Sequence, residues 1–489
     1  MLSLIIFLPI AAIAAIALLP RERESWAKWI AAGVSATVLA LTLVLFAAYD
    51  RSPGGFQFMD SQVWMESDFV QFTLRYAVGV DGLSLALVML TGFLFLVAVL
   101  ISWRIELRPR EYFVWIMLLE TSLLGVFSAM DMVLFFLFWE IELIPMYFLI
   151  SIWGSGNKLY SAWKYVLYTL FGSAFMLVGI LVLGFTAGTF DIQELGQIDK
   201  IKDAVIPVQA IFFLLIIAFC IKLPVVPFHT WLPDAHTDAP TAVSVILAGV
   251  LLKMGGYGIL RLSFSIMPDV ARDASVWLAS FAVVSILYGA IVTLMQTDLK
   301  RLIAYSSVSH MGYVLLGASA LGTVGLTGAA MQMFTHGLIT GFLFVLVGMV
   351  YDRTHTRNIG ELSGMAHRMP FIATMMVIAG LASLGLPGLA GFVSEVTVFL
   401  GTFRHHEFLT ILAVTAIVLT AGYILWMIQR VFWGELNERW KEIGDATAWW
   451  ERAPLLAMMT VIVLVGVYPA VMLDLLETGV VPIAERLAA

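Results

Sequence analysis

Four ionisable residues stand inside long apolar stretches of this sequence, where a charge is costly. They are Glu140, Lys222, Lys253 and Glu395. A charged side chain at the centre of a bilayer costs roughly 2.5–3.5 kcal/mol on an insertion scale, so it needs a partner, water or a function. Carboxylates and amines in a low-dielectric site gain or lose protons when their surroundings change. These residue types therefore indicate proton movement across a membrane.

Glu140 and Lys222 are predicted to form a proton switch. A nearby carboxylate stabilises the charged form of a buried lysine, and separating the two favours release of the proton. Glu142 follows Glu140 by two positions, so we expect it to face elsewhere. The alternative is a static buried ion pair that only fixes helix packing. Glu120, in the preceding span, is a weaker candidate for the same chemistry.

Polar side chains also recur at helical spacing in two later spans. In the tenth window, one helical face at positions i, i+3, i+4 and i+7 carries Ser306, Ser309, His310 and Tyr313. In the eleventh window, the spacing i, i+3, i+4 recurs with Gln332, Thr335 and His336. Such faces would hold a file of water, and histidine relays protons near neutral pH. We predict that His310 and His336 are relay members, with a helix-to-helix hydrogen bond as the alternative. Lys164 is predicted to join the relay or to extend to water at the end of its helix.

Residues 229–240 offer two histidines and two aspartates, which raises the question of a metal site. The spacing of six residues between His229 and His236, with a proline between them, is not a recognised metal arrangement. Capping of the following helix by Asp238 would explain one carboxylate. No metal site is predicted.

Composition defines the class of protein. Hydrophobic residues make up 61% of the 489 residues and charged residues 12%, against about 45–50% and about 25% in soluble domains. A membrane protein is therefore predicted, and soluble enzyme classes are excluded. The net charge of -7 and the lack of a basic run argue against nucleic-acid binding. With Cys220 as the lone cysteine and no glycine-rich phosphate loop, no cofactor site is expected in this chain.

Apolar windows predict an all-α polytopic protein. A bilayer core needs about 20 apolar residues per helix. Fourteen such windows lie near residues 2–20, 27–48, 80–103, 112–129, 131–151, 163–188, 208–228, 241–262, 274–296, 302–320, 325–350, 370–403, 408–431 and 453–474.

The seventh and twelfth windows are predicted to be broken helices. Pro224 and Pro227 follow Lys222 in the seventh window, and residues 385–391 of the twelfth read GLPGLAG. Proline removes a backbone donor, and irregular backbone at membrane depth is typical of ion sites in transporters. The breaks lie five helices apart, which predicts two inverted five-helix repeats. The predicted division is 1–111, 112–262 (first repeat), 263–431 (second repeat) and 432–489.

Loop charges predict the orientation. Seventeen lysines and arginines fall on one side of the predicted membrane and eight, including Lys200 and Lys202, on the other. Since basic loops stay inside, both termini are predicted to face outward.

Several motifs carry a resemblance to a known family. They are FWEIELIPMYFLI around Glu140, KLPVVPFHTWLPDAH from Lys222, LLKMGGYG around Lys253 and GLPGLAGFVSE ending at Glu395. With them the chain resembles the antiporter-like subunits of respiratory complex I, which are related to Mrp-type cation/proton antiporters and membrane-bound hydrogenases. The resemblance implies a fourteen-helix fold, with each inverted repeat forming a half-channel and a hydrated axis joining them.

The resemblance also implies roles for these residues. Glu140 and Lys222 match the proton-input switch, Lys253 the central relay and Glu395 the output-side carrier, while His310 and His336 match channel-lining histidines. Members of the L and N types carry lysine at the distal position, and the L type has a long C-terminal extension. The glutamate here and the short C-terminus indicate the M-type branch.

The function implied is proton translocation by a membrane subunit of a type I NADH:quinone oxidoreductase in a bacterial inner membrane. FMN, iron-sulfur clusters and quinone would then bind to other subunits. The expected partners are the L-type and N-type antiporter-like subunits and membrane lipids. Two alternatives stay open: a stand-alone Mrp-like cation/proton antiporter subunit, and a structural scaffold whose charges only lock helices together.

Overall fold

The computed structural model describes residues 1–52, 55–67, 72–196 and 204–489, so Lys200 and Lys202 lie outside the described residues. These ranges form mainly helices and one two-stranded antiparallel sheet, β1 (Gln57–Ser67) and β2 (Phe72–Val80). The helices are α1 (Leu2–Ala17), α2 (Ala27–Ala48), α3 (Gly82–Ile101), α4 (Pro109–Ser128), α5 (Met132–Ile141), α6 (Leu143–Trp153), α7 (Lys158–Ala187), α8 (Ile192–Leu195), α9 (Val208–Lys222), α10 (Trp231–Asp238), α11 (Thr241–Ile246), α12 (Leu252–Gly258), α13 (Pro268–Leu294), α14 (Leu299–Ser319), α15 (Thr323–Thr354), α16 (Pro370–Ser383), α17 (Ala390–Phe403), α18 (Glu407–Phe432), α19 (Trp449–Val467) and α20 (Ala470–Ala488).

A helix occupies each of the fourteen apolar windows. Among the described residues, 10 helical segments are long and apolar enough to cross a membrane. Shorter apolar helices fill the first window and both halves of the twelfth, and α9 fills most of the seventh. The hairpin of β1 and β2 lies between the second and third windows, and α20 begins within the last window and continues beyond it to Ala488.

Two segments form the centre of the bundle. The most apolar stretches of Thr241–Phe264 and of Thr323–Thr354 are 100% buried, whereas that of Arg21–Ala48 is only 28% buried. A helix that is apolar all round is stable where other helices surround it. These two segments carry Lys253 and His336, so ionisable side chains lie in the most buried part of the bundle.

Both predicted helix breaks are present. In the first, α9 ends at Lys222 and α10 begins at Trp231. In the second, α16 ends at Ser383 and α17 begins at Ala390. Because proline lacks an N–H and clashes with the preceding turn, neither segment continues as a regular helix.

Two other spans are irregular, which the sequence did not indicate. The fifth changes from α5 to α6 at Glu142. The eighth contains two π-helical segments, Leu247–Leu251 and Ile259–Phe264, on either side of α12. Such wide turns are rare and occur often at functional sites.

The two ends of the bundle differ in charge. One end of the bundle carries Lys28, Arg104, Lys300, Arg353 and Arg357, and we call it the basic end. There the ion pairs of Arg104 and Arg353 with Glu451 tie α19 to its neighbours, at 3.6 and 3.0 Å. At the opposite end Ser3 donates to Asp60 at 2.5 Å, and Arg486 donates to the carbonyl of Ser265 at 3.1 Å. Both termini therefore lie at the end opposite the basic end.

Candidate functional site

Lys222 is enclosed at the first helix break, with 1% of its surface exposed. Its Nζ forms an ion pair with Glu142 and donates to the Tyr165 hydroxyl at 3.1 Å, while that hydroxyl donates to the same carboxylate at 2.5 Å. The ring centres of Trp139 and Tyr165 lie 5.5 and 5.1 Å from Nζ. A buried ammonium needs such compensation, because the attraction must offset the loss of water.

The predicted pairing of Lys222 with Glu140 is wrong, because the lysine pairs with Glu142. Two positions on an α-helix differ by about 200°, so the two carboxylates point to different sides. The change from α5 to α6 at Glu142 then sets which of them meets the lysine. Glu140 is half-buried beside Ser173, and one of its carboxylate oxygens has no hydrogen-bond partner among the described residues. It stays within electrostatic reach of both Glu142 and Lys222.

Lys253 lies fully buried on the central eighth span, directly after a π-helical turn. Its Nζ donates to the carbonyl of Ala248 and lies 2.8 Å from Nδ1 of His336. A side chain at Gly255 would meet the backbone nitrogen of Leu223 at 2.7 Å, so only glycine permits this close approach to the first break. The segments that carry Lys253 and Lys222 are therefore in direct contact.

A row of ionisable side chains continues from Lys253 to the second break. The rings of His336 and His310 are 5.7 Å apart between centres. Nδ1 of His310 lies 3.5 Å from Oε1 of Glu395, and its Nε2 lies 3.4 Å from the hydroxyl of Ser383. The structure thus brings together four of the predicted site residues in the order 253, 336, 310 and 395.

Unsatisfied polar atoms line this row. A cavity of about 10 Å³ between α14, α15 and the second break is bordered by both histidines and Glu395, which is room for about one water molecule. Among the described residues, Nε2 of His336, Oε1 of Gln332 and the Tyr313 hydroxyl have no hydrogen-bond partner. Buried polar atoms of this kind are usually satisfied by ordered water. The row is therefore suited to a short hydrogen-bonded chain that moves protons.

Lys164 lies apart from this row. Its Nζ is 2.7 Å from a carboxylate oxygen of Asp234, and Arg301 lies 3.6 Å from the other oxygen. It does not contact Lys222, although the next residue, Tyr165, does. Glu120 is also separate, because its carboxylate accepts a hydrogen bond from Ser35 at 2.8 Å on the far side of α4. The spacing of charges along the sequence did not distinguish these positions from the central ones.

The segment after the first break differs from its prediction at one point. Asp238 does not cap the next helix, because its carboxylate accepts a hydrogen bond from Ser161 at 2.6 Å and α11 has no side-chain cap. The ring of His236 stacks on Phe344, with 4.6 Å between centres. Within the described ranges, no three histidine, cysteine or acidic side chains converge as a metal site would require.

A second buried ion pair was not predicted from the sequence. Arg261, at the end of the eighth span, pairs with Asp81 at the start of α3, and both are at most 5% exposed. Asp81 also caps α3 by accepting from the backbone of Ser84 at 2.9 Å. The sequence signals were an aspartate and an arginine near the ends of two apolar windows, and the prediction counted the arginine as a loop residue.

The fold and this row define a polytopic helical membrane protein with two broken helices and a row of buried ionisable groups. Residues 129–420 match the profile of the NADH:quinone oxidoreductase/Mrp antiporter transmembrane family. The chain belongs to this family.

Known proteins resemble the chain over its whole length. NADH-quinone oxidoreductase subunit M of Rhodobacter capsulatus is 41% identical, with 99% of this chain and 96% of that protein covered. A chain of respiratory complex I from Thermus thermophilus matches with a TM-score of 0.88 and 29% identity, over 100% of both chains. A chain of the Mrp complex from Dietzia sp. has the same fold, with a TM-score of 0.84 and 19% identity over 100% of this chain and 99% of that one.

Proposed function

We propose that the chain is the M-type proton-translocating membrane subunit of a type I NADH:quinone oxidoreductase. The observation that carries the proposal is the row from Lys253 through His336 and His310 to Glu395, in a fold shared with a complex I chain. The similarity to a subunit M over nearly the whole chain supports the assignment to this enzyme. The chain would be one subunit of this enzyme complex, and its role would be to transport protons across the membrane.

The proton path is proposed to begin at the first break. Lys222 gains and loses its proton as its contact with Glu142 closes and opens, and Glu140 holds a second proton nearby. Opening the pair removes the charge that stabilises the ammonium, so the lysine releases its proton. Lys253 receives that proton as the central relay.

The second part of the path is proposed to run along the two histidines. From Lys253 the proton passes to His336 and His310 and reaches Glu395, the output-side carrier, at the second break. Each step needs a contact of hydrogen-bond length or one bridging water, which the spacing of this row allows. Lys164 is proposed to relay protons near the basic end, through its contact with Asp234.

The membrane arrangement is also part of the proposal. We infer fourteen crossings, with inverted five-helix repeats at 112–262 and 263–431 between the flanking segments 1–111 and 432–489. Since basic residues favour the inner side, the basic end faces the cytoplasm and both termini face outward from a bacterial inner membrane. The location of both termini opposite the basic end is consistent with this topology.

The redox chemistry is assigned to other subunits. FMN, iron-sulfur clusters and quinone would bind there, and their energy would reach this chain by electrostatic and conformational coupling. L-type and N-type antiporter-like subunits are the proposed neighbours within the membrane, together with lipids. A stand-alone Mrp-like antiporter subunit is the second candidate, favoured only by the shared fold. Co-purification with NADH dehydrogenase activity separates the two candidates.

Proton pumping and quinone reduction, measured together in membrane vesicles, test the proposal. Lys222→Ala and Glu395→Gln are compared with Lys441→Ala, which changes an exposed lysine. Native gels report assembly in each case. We expect the first two variants to assemble and to lose coupled pumping, and the control to keep it. Normal pumping by both in an assembled complex would contradict the proposed function.

A further inference from the structure

A cavity of about 440 Å³ opens at the basic end, away from both helix breaks. Its wall includes Lys300, Asp352 and Arg357, together with Thr241 at the start of α11. Lys300 is a buried charged residue of this wall, with 3% exposure, and its Nζ donates to the carbonyl of Ala239 at 2.6 Å. The cavity therefore holds a buried amine at its inner edge, next to the end of α10.

His236, on α10, is the next ionisable group inward. It is 0% exposed, and both of its ring nitrogens lack a hydrogen-bond partner among the described residues. The interplanar angle between its ring and that of Phe344 is 9°, so the stacking covers a ring face and leaves the nitrogens at the edge free. A buried imidazole with two free nitrogens is unfavourable unless water or a proton carrier reaches it.

The position of Phe344 relates His236 to the central row. Phe344 and His336 stand eight positions apart on α15, which puts them about 12 Å apart along the helix and about 80° apart around it. Thr340, between them, also borders the cavity of the central row. The charges of both Lys300 and Lys253 act on His236. The histidine thus lies between the buried amine of the cavity and the central lysine.

We propose that this cavity is the mouth of a second proton-uptake path, which leads from Lys300 through His236 to Lys253 without using the pair of Lys222 and Glu142. Water in the cavity delivers a proton to one ring nitrogen of the neutral histidine. The proton on the other nitrogen leaves towards Lys253, so the ring is neutral before and after the step. This inference rests on the proposed function, and it adds a route by which the central lysine is loaded.

The first test asks whether the cavity opens to the side that the basic end faces. Thr241→Cys is labelled with a charged thiol reagent, applied to either face of vesicles that carry the assembled complex. The buried Cys220 of the unmodified chain sets the background. We expect labelling from the side of the basic end only. Labelling from neither side would overturn the proposal, whatever the effect of other variants on pumping.

The second test measures protons pumped per NADH oxidised. His236→Phe keeps a ring to stack on Phe344 but has no nitrogen, and His236→Gln keeps a polar group that does not carry protons. Lys300→Met removes the amine of the cavity. The matched control is His229→Phe, because His229 is also buried on the segment after the break but faces Tyr288, with 5.0 Å between ring centres.

We expect the variants of His236 and Lys300 to lose pumping per NADH while the control keeps it. If they pump normally and Lys222→Ala does not, the second path is wrong and the proposed function stands. If Lys222→Ala and Glu395→Gln also pump normally, the proposed function itself fails. If the complex with His236→Phe does not assemble, pumping by the complex with His236→Gln is measured in its place.

Discussion

Lys222 forms its ion pair with Glu142, 80 positions earlier in the chain, and the hydroxyl of Tyr165 bridges the two groups. Glu140 lies only two positions from Glu142 but contacts neither the ammonium nor the hydroxyl. The first helix break therefore has one lysine and two carboxylates nearby, and only one of these carboxylates is in contact with the ammonium.

Removing the charge of Glu142 is expected to affect the stability of the complex more than removing that of Glu140. Glu142→Gln leaves a buried ammonium without its counter-charge, which costs about 3–5 kcal/mol. Glu140→Gln leaves no charge unpaired. We expect both variants to pump poorly, but only the change at position 142 to lower assembly and thermal stability markedly, as measured by native gels and by the melting temperature of the solubilised complex. Equal stability of the two variants would contradict this division of roles.

Two glycines of the second break provide a matched test of Glu395. Gly385 and Gly388 both have positive φ angles, +78° and +90°, so alanine is strained at either position by about 1–2 kcal/mol. Only at Gly385 would the new Cβ also meet Oε2 of Glu395, at 2.6 Å, whereas nothing lies within 4 Å at Gly388. We expect Gly385→Ala to reduce proton pumping further than Gly388→Ala at similar assembly. Equal pumping would show that the position of the carboxylate is not critical.

The ion pair of Asp81 and Arg261 is expected to be structural. Asp81→Asn keeps an acceptor for the cap of α3 but leaves the arginine without a counter-charge, at a cost of about 3–5 kcal/mol. We expect much less assembled complex on native gels. Asp269→Asn is the control, because its pair with Arg272 is exposed, at 69% and 37%, and such pairs contribute about 0–1 kcal/mol. Adding Arg261→Met to Asp81→Asn should restore part of the loss, and a further loss would argue against the pairing.

Asp131 is the N-cap residue immediately before the span that the structure places at Met132–Trp153, and it predicts a pH dependence. Burial raises the pKa of its carboxyl from 3.8 to about 6. Because the pKa is higher in the folded state, the stabilisation that comes from protonation is complete below the ordinary value and is lost as pH rises through 6. Asp131→Asn keeps an acceptor for the backbone of Val133 and Leu134 and does not ionise.

The melting temperature of the variant relative to that of the unmodified chain should therefore increase between pH 5 and pH 8, by about 1–2 °C. Thermal unfolding of the two proteins in parallel at each pH measures the difference, so that other titrating groups cancel. A constant difference across this range would contradict the raised pKa.

The sequence by itself determined the class of protein and the places where its helices break. Long apolar windows require a membrane because no soluble core could bury them all. The first break follows from Pro224 and Pro227, because proline lacks the N–H that a helix needs. The second follows from the glycines of residues 385–391, because glycine permits positive φ angles. Both effects are local and do not depend on the neighbouring helices. The ionisable residues in the windows were found for a similar reason, since a charge there cannot reach bulk water. Motifs around these residues indicated the family, which the comparison with known proteins confirmed.

Only the tertiary structure decided which of these groups meet. The choice of Glu142 over Glu140 depends on the rotation of α5 and α6 about their axes, and packing against α4 and α7 fixes that rotation. Asp81 and Arg261 are 180 positions apart, so no local pattern relates them. That both nitrogens of His236 lack a hydrogen-bond partner within the described part of the chain is visible only once their neighbours are in place. Covalent geometry restricts each residue's own backbone, whereas a contact between helices depends on all the side chains packed between them.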